Sequence, residues 1–180
     1  MGRAVVHQPV ATVSPDSPQW RAGDLVFRRG TSIKSAAVES VDHSGYTHVG
    51  ILAGASPLWT IIHVEPKDNE GGGQVEEIPL AMFVKPAKAS RYAIFRATDS
   101  SVAATEAVRN AKMQVGRPFD ADYRYSTEDL LYCTELVGKA FAKAGIILIK
   151  PAEGARVPLM NEPVVLPAAL VAISRQITSN

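Results

Sequence analysis

The chain has 180 residues, the usual length of one domain, and 46% of them are apolar, which is enough for a substantial core. Nineteen basic and eighteen acidic side chains give a formal net charge of +1 with no block of like charges, so neither nucleic acid nor an anionic membrane surface is expected as a partner. A single cysteine excludes an internal disulfide. We therefore expect one packed domain over residues 1–180.

The start of the chain carries no visible export signal. Residues 1–21 contain three prolines and lack the apolar run of about 7 to 15 residues that a signal peptide requires, so we expect an irregular arm. No hydrophobic run approaches the roughly 20 residues needed to span a bilayer. The sequence predicts a soluble protein made in the cytoplasm, with a leaderless route to a target periplasm as one hypothesis.

Strands dominate the prediction for the first half of the chain. After a strand at residues 25–28, residues 32–41 have the apolar spacing of an amphipathic helix. Two further strands, at 48–53 and 59–65, are expected to form a hairpin or meander around a turn at 54–57.

Helices dominate the prediction for the second half. A polar, glycine-rich loop at 67–73 precedes a short strand. The predicted elements are a strand at 74–78, a helix at 79–83, a strand at 92–96, and helices at 102–115, 132–144 and 167–174. This order predicts an α+β domain with an antiparallel sheet.

The helix at 132–144 carries the single cysteine. Its apolar positions form one stripe, so Cys133 is expected to face the sheet, while Glu135 and Lys139 are expected on the wet face as an i, i+4 pair. If the helix begins at Tyr132 or Cys133, its dipole and unpaired N–H groups should lower the thiol pKa. Two alternatives stay open. The capping-like residues 126–129 would start the helix earlier, and a free cysteine is often a small core residue.

His48 opens a predicted strand and is the candidate base for a Cys-His pair, in which an imidazolium can stabilise a thiolate. The next strand offers a third group that could fix its tautomer. His63 and Glu65 share a face because they are two residues apart, and Glu65 is preferred because a carboxylate stabilises imidazolium. Each histidine could equally be an ordinary packed residue.

At these residues the sequence resembles the NlpC-type papain-like cysteine hydrolases, in the circularly permuted, YiiX-like branch. The resemblance covers roughly residues 23–145. It is carried by GDLVF at 23–27, YTHVGI at 46–51, IHVE at 62–65 and YCTELV at 132–137. The cysteine helix follows the strands here, as in the permuted branch. The resemblance implies a papain-like antiparallel sheet or small barrel packed on helices.

The resemblance also implies roles for individual residues. Cys133 would be the nucleophile, with its backbone N–H in an oxyanion hole, His48 the base and Glu65 the orienting group, with His63 as the alternative third member. Tyr46, Asp24, Asp120 and Tyr132 are expected to line or support the substrate pocket; Asp120 lies in GRPFD at 116–120, which resembles a further family segment.

No cofactor and no metal are expected. The sequence lacks a phosphate loop, a dinucleotide fingerprint and a zinc-protease histidine pair. A zinc site built from His43, His48, His63 and Cys133 would match no standard spacing.

The resemblance favours cysteine-dependent hydrolysis of an amide bond through a thioester. The implied substrate is a peptidoglycan stem peptide, cleaved between D-glutamate and a diamino acid, in an antibacterial effector with an immunity protein as partner. Two alternatives stay open: a lipid acyltransferase or thioesterase that uses the same Cys-His site, and a binding module without chemistry.

Overall fold

A computed structural model describes residues 19–67 and 72–179 of the chain, with only the backbone of residues 178 and 179. Its elements are β1 (Leu25–Gly30), α1 (Ile33–Glu39), β2 (His48–Ala53), β3 (Thr60–Val64), β4 (Val75–Pro79), α2 (Leu80–Phe83), β5 (Ala89–Arg96), α3 (Ser101–Lys112), α4 (Cys133–Lys143), a 3₁₀ turn (Pro151–Glu153), α5 (Pro167–Ile173) and β6 (Arg175–Ser179). Most of the predicted N-terminal arm and of the loop at 67–73 lies outside the described residues.

Six strands form one sheet in the order β4-β3-β2-β1-β5-β6, and every neighbouring pair is antiparallel. The predicted α+β class with an antiparallel sheet is therefore confirmed. The edge strand β6 was not predicted, because its sequence RQITS has no run of apolar residues. No helix in the described ranges is both long and apolar enough to cross a membrane.

The two faces of the sheet bury separate apolar clusters. Val49 and Ile51 of β2 belong to the cluster that contains residues of α3 and α4, such as Ala107 and Val137. Leu52 points to the other face, into a cluster that includes Phe83. The period of two in β2 thus distributes its side chains between the two faces.

Helix α1 is present where the sequence predicted it, but its apolar side faces outward. Ile33 is 91% exposed, and no residue of the helix is buried. The side turned toward the protein carries Lys34, Ser35 and Val38, which line a cleft beside the sheet. The amphipathic spacing therefore predicted the helix correctly but not the face that it buries.

Helix α4 begins at Cys133, so residues 126–129 do not cap it. The prediction that Glu135 lies on a wet face is wrong, because its side chain is fully buried. Its Oε2 accepts a hydrogen bond from the Tyr132 N–H at 3.1 Å, and its Oε1 lies 2.8 Å from Lys139 Nζ. Lys139 also donates to the Thr127 carbonyl, so the preceding segment covers this side of the helix. Burial raises the pKa of Glu135 to about 7.

Candidate active site

Cys133 is the first residue of α4 and is half-buried at the edge of the apolar cluster that the helix forms with the sheet. Hydrogen bonds from the backbone N–H groups of Val49, Thr134 and Cys133 itself lower the thiol pKa, but burial outweighs them and raises it to about 11. The predicted position at the helix N-terminus is correct. The predicted fall in pKa is wrong, since desolvation of the thiolate is the larger effect.

His48 is the first residue of β2, opposite Arg28 in the antiparallel ladder, and it is buried. Its Nε2 lies 3.1 Å from Nδ1 of His63, and the two rings meet edge to face at 5.3 Å between centroids. Both rings also pack against Phe83. His48 and Cys133 line the same cleft, but the hydrogen bond of His48 goes to His63. Nδ1 is therefore the His48 ring nitrogen that lies outside the hydrogen bond to His63.

Burial lowers the pKa of both histidines, and the nearby positive charges of Arg28 and Lys88 lower it further. The pKa of His48 falls well below its usual value, and that of His63 falls to about 3. Both rings are therefore neutral at pH 7. Because Cys133 also keeps its proton, the resting site holds a neutral thiol and neutral imidazoles instead of an ion pair.

Glu65, the preferred orienting group, forms an ion pair with Arg28, and its Oε1 lies 3.5 Å from Lys88 Nζ. Arg28 is almost fully buried, donates from Nη1 to the Phe83 carbonyl at 2.8 Å, and stacks on the Phe83 ring at 4.4 Å. The alternative residue, His63, is the one that hydrogen-bonds to His48. The sequence predicted that His63 and Glu65 share a face, but it could not show that Arg28 of β1 forms an ion pair with the Glu65 carboxylate.

Gly50 lets β2 lie close to the β3 segment that carries His63. In the β2–β3 ladder it lies one step beyond the Ile51–Ile62 pair, beside His63. A Cβ atom at this position would first meet the Ile61 side chain, and it would approach the Ile62 carbonyl oxygen to 3.0 Å and the His63 Cβ to 3.1 Å. A larger residue would therefore press on the backbone that carries His63.

The cleft that contains Cys133 and His48 has a volume of about 210 Å³. A neighbouring cavity of about 410 Å³ shares Arg28, Glu65 and Lys88 with it. Sequence reasoning missed Arg28, Lys34, Lys88 and Tyr123 as lining residues. One feature of the sequence could have indicated Arg28. It shares a strand face with Val26, which is buried, and a charged residue on a buried face is unusual.

Two of the four predicted pocket residues, Tyr46 and Asp24, lie away from the cleft. Tyr46 is buried against Phe27 and Phe95 in the core. Asp24 is buried in an ion pair with Arg96, whose Nε lies 2.8 Å from Oδ1.

The other two, Asp120 and Tyr132, support the segment that leads to Cys133. Asp120 is fully buried and accepts hydrogen bonds from the backbone N–H groups of Asp122 and Arg124 at 2.9 Å. The Tyr132 hydroxyl accepts from the Val165 N–H at 3.3 Å, and its ring packs edge to face on Tyr123. Tyr123 itself lines the cleft.

One group of side chains has the composition of a metal site. His48, His63 and Glu65 each offer a ligand atom, and these atoms lie within 4.8 Å of one another. His43 and Cys133, which the sequence suggested as further zinc ligands, do not belong to this group. Two imidazoles and a carboxylate are a donor set found in catalytic zinc sites.

Comparison with known proteins identifies the family. Residues 19–170 match the model of a family described as permuted papain-like amidase enzymes, YaeF/YiiX, C92 family. The uncharacterized protein YiiX of Escherichia coli (strain K12) is 27% identical over 128 residues, which are 70% of this chain and 59% of that protein.

A crystal structure described as that of the metalloprotein YiiX from Escherichia coli O157:H7 superimposes with a TM-score of 0.71 at 23% identity, covering 90% of this chain and 98% of that one. The two chains therefore share a fold. The chain belongs to the C92 family of permuted papain-like amidases of the YaeF/YiiX type.

Proposed function

We propose that this chain is a cysteine amidase that cleaves an amide bond of a peptidoglycan stem peptide through a thioester. The observation that carries the proposal is the cleft that Cys133 and His48 line together. Cys133 is the first residue of α4, and Nε2 of His48 is hydrogen-bonded to Nδ1 of His63. A nucleophile, a base and a group that orients the base are the parts that acyl transfer by a thiol requires.

In the proposed reaction His63 fixes the tautomer of His48. Donation from His48 Nε2 to His63 Nδ1 leaves Nδ1 of His48 with a lone pair. As the sulfur of Cys133 forms a bond to the amide carbon, its proton moves to this Nδ1. The N–H of Cys133 donates to the developing oxyanion.

The remaining steps return the site to its starting state. The C–N bond breaks, and the leaving amine takes the proton from the His48 imidazolium. A water molecule then attacks the thioester while His48 accepts one of its protons, and the C–S bond breaks. The thiolate regains a proton from His48, so both residues end as they began.

The charge around the cleft supports an anionic substrate. Among the described residues that line the two cavities, the basic ones are Arg28, Lys34, Lys67, Lys85 and Lys88, whereas the acidic ones are Glu65 and Glu76. The whole chain has a net charge of only +1, so positive charge is concentrated here. Stem peptides carry free carboxylates close to their amide bonds, and a positive cleft attracts such a substrate.

The similar crystal structure is described as that of a metalloprotein. In this chain, His48, His63 and Glu65 have suitable donor atoms, and a bound zinc-type ion would supply a Lewis acid there. The proposed hydrolysis uses the lone pairs of both rings for the proton relay. We therefore assign no step of it to a metal.

The test is digestion of purified peptidoglycan followed by mass spectrometry of the released fragments. Wild-type protein should release stem-peptide fragments, and Cys133→Ala should release none because the acyl intermediate cannot form. His43→Gln is the matched control, since His43 is exposed and lies outside the cleft; it should cleave like the wild type.

Absence of fragments with the wild type, or equal release by Cys133→Ala, would contradict the proposal. Acyl transfer from a lipid ester by the wild type, without wall fragments, would instead support the acyltransferase alternative.

A further inference from the structure

Nε2 of His63 is a buried polar atom without a hydrogen-bond partner among the residues that the structure describes. His63 is only 2% exposed, and its other nitrogen, Nδ1, lies 3.1 Å from Nε2 of His48. His63 lines the cavity of about 410 Å³ that adjoins the cleft, whereas His48 lines the cleft itself. A buried ring nitrogen left unpaired costs free energy, so a group that pairs with it is to be sought among its neighbours.

Glu76 lies directly opposite His63 in the β3–β4 ladder. Residues paired in this way point to the same face of a sheet, with Cβ atoms about 4.5 to 5.5 Å apart. Glu76 is half-buried and lines the same cavity as His63. No described residue gives its carboxylate a hydrogen bond or an ion pair, whereas the carboxylate of Glu77 accepts from Thr60 and Lys112. An unpaired ring nitrogen and an unpaired carboxylate thus belong to two side chains that face each other across the ladder.

The hydrogen bond between the two histidine rings can run in either of two directions. If His48 donates from Nε2, His63 accepts at Nδ1 and carries its own proton on Nε2, and Nδ1 of His48 keeps a lone pair. If His63 donates from Nδ1, its Nε2 holds a lone pair and Nδ1 of His48 carries a proton. Only the first arrangement leaves His48 able to accept the Cys133 proton at Nδ1.

The charges beside His63 bear on this choice. Arg28 and Lys88 line the cavity, and positive charge favours a lone pair on a nearby nitrogen, which is the unproductive arrangement. The carboxylate of Glu65 pairs with both cations at once, so a net positive charge remains. A carboxylate can only accept hydrogen bonds, so Glu76 near Nε2 of His63 favours a proton on that nitrogen. The cavity also has room for a water molecule that bridges the two groups.

We propose that Glu76 accepts a hydrogen bond from Nε2–H of His63, directly or through one water molecule, and thereby sets the tautomer in which His48 can act as a base. Glu76 does not line the cleft that contains Cys133, so it is a positioning residue that acts through the two rings. Its importance for catalysis rests on the proposed hydrolysis. The tautomer that it selects is a property of the protein without substrate.

The first test identifies the protonated ring nitrogens by NMR at pH 7 in protein labelled with ¹⁵N-histidine. The chemical shifts of the nitrogens show which of them carry protons, and the coupling across the hydrogen bond identifies His48 and His63. We expect both rings to be protonated at Nε2 in the wild type. Glu76→Leu, which has a similar volume but no acceptor, should move the His48 proton to Nδ1. Glu77→Gln, at the next position and on the opposite face of β4, should keep the wild-type tautomers.

The second test is steady-state kinetics with the substrate identified by peptidoglycan digestion. Glu76→Leu should lower kcat by about 100-fold or more, because general base catalysis contributes at least that factor, and should leave KM nearly unchanged. Glu77→Gln should behave like the wild type. If the wild type releases no wall fragments but its tautomers respond to Glu76→Leu, the proposed function fails and the role of Glu76 in setting the tautomer stands.

Three results would overturn the proposal: a wild-type His48 protonated on Nδ1, wild-type tautomers in folded Glu76→Leu, or an equal loss of kcat in Glu77→Gln. Glu76→Lys is the second variant if Glu76→Leu fails to fold, because β4 is an edge strand, where lysine is well tolerated. An ammonium group can only donate, so this variant should also place the His48 proton on Nδ1. Circular dichroism establishes which variants are folded.

Discussion

Cys133 keeps its proton at rest because burial of the sulfur raises the thiol pKa more than the nearby hydrogen-bond donors lower it. Backbone N–H groups from α4 and from β2 reach the sulfur, yet the thiol pKa is raised to about 11. His48 is also uncharged, since burial and Arg28 lower its pKa. In the proposed reaction, proton transfer from Cys133 to His48 therefore accompanies attack on the amide.

This protonation state predicts how the thiol reacts with a small alkylating reagent. Because the thiolate fraction is small below a pKa of about 11, the rate of iodoacetamide modification of Cys133 should rise about tenfold per pH unit from pH 6 to 10, without a plateau. Intact-mass measurement of the modified fraction against time gives the rate at each pH.

His48→Ala provides the control for that experiment. If thiol and imidazole are both neutral, removing the ring should leave the pH profile almost unchanged. A preformed thiolate–imidazolium pair would produce a plateau near neutral pH in the wild type and lose it in the variant, and this result would contradict the assignment.

Individual side chains show how far sequence reasoning reaches at this scale. Spacing and motif order predicted Cys133, His48 and the pair His63 and Glu65 as site residues, and the structure places the first two on one cleft with His63 beside His48. The choice within that pair depended on Arg28, whose contact with Glu65 arises only when β1, β2 and β3 lie side by side. Glu135 was predicted to be exposed because the apolar pattern describes α4 alone. The pattern does not show that the segment around Thr127 covers this side of the helix.

Strand β2 carries His48 and β3 carries His63, and Gly50 of β2 lies against the β3 segment that contains His63. Gly50→Ala would push against the backbone at Ile62 and against His63. We expect kcat/KM for the identified substrate to fall about 100-fold, because a displacement near 1 Å at a catalytic group has that effect. Steady-state kinetics and thermal unfolding should be measured together.

Gly138→Ala is the matched control for crowding. Its Cβ would meet Ile149 Cδ1 at 2.6 Å, on the body of α4 and away from the histidines. It should lose stability, as overpacking costs about 1 to 3 kcal/mol, while folded protein keeps its activity. Equal loss of kcat/KM in both variants would refute the specific role of Gly50.

Elements with a strong pattern were predictable, and elements defined by their neighbours were not. The strand at β2 and the helix at α4 were predicted close to their observed bounds. Strand β6 exists because it pairs with β5, and its sequence alone gives no strand signal. The exposed apolar side of α1 is a second case, since spacing identifies a helix face but not the surface that it meets.

Across the whole molecule, a buried ion pair ties the start of β1 to the end of β5. Asp24 is 1% exposed and accepts two hydrogen bonds at 2.8 Å from Arg96, which also donates to the Gln19 carbonyl. Because these contacts lie outside the cleft, the role of Asp24 is expected in global stability.

Asp24→Asn tests this role. The substitution leaves the largely buried guanidinium of Arg96 without its counter-ion, and breaking a buried pair costs about 3 to 5 kcal/mol. We expect the free energy of unfolding in urea to fall by about this amount at pH 7, while kcat/KM of the folded protein is retained.

Glu106→Gln is the comparison, because the exposed pair of Glu106 with Arg109 should contribute less than about 1 kcal/mol. If Asp24→Asn lowers kcat/KM without loss of stability, Asp24 belongs to substrate binding, as the sequence had suggested.

The order of the four motif segments was sufficient to predict the fold at this largest scale. Each segment is short, but their succession places the cysteine helix after the strands, and the six-stranded antiparallel sheet follows that arrangement. The cluster of lysines around the cleft was not predictable. Lys34 lies in α1, Lys67 follows β3, and Lys85 and Lys88 lie between α2 and β5, and these segments converge only in three dimensions.

The neutral thiol of Cys133 has a further consequence for the lifetime of the protein outside a reducing compartment. Oxidation begins when a thiolate attacks hydrogen peroxide to give a sulfenic acid, from which the sulfinic and sulfonic acids then form. With a thiol pKa of about 11, only a minute fraction of Cys133 is available to peroxide at pH 7. We therefore expect Cys133, the proposed nucleophile, to be oxidised slowly by peroxide at neutral pH.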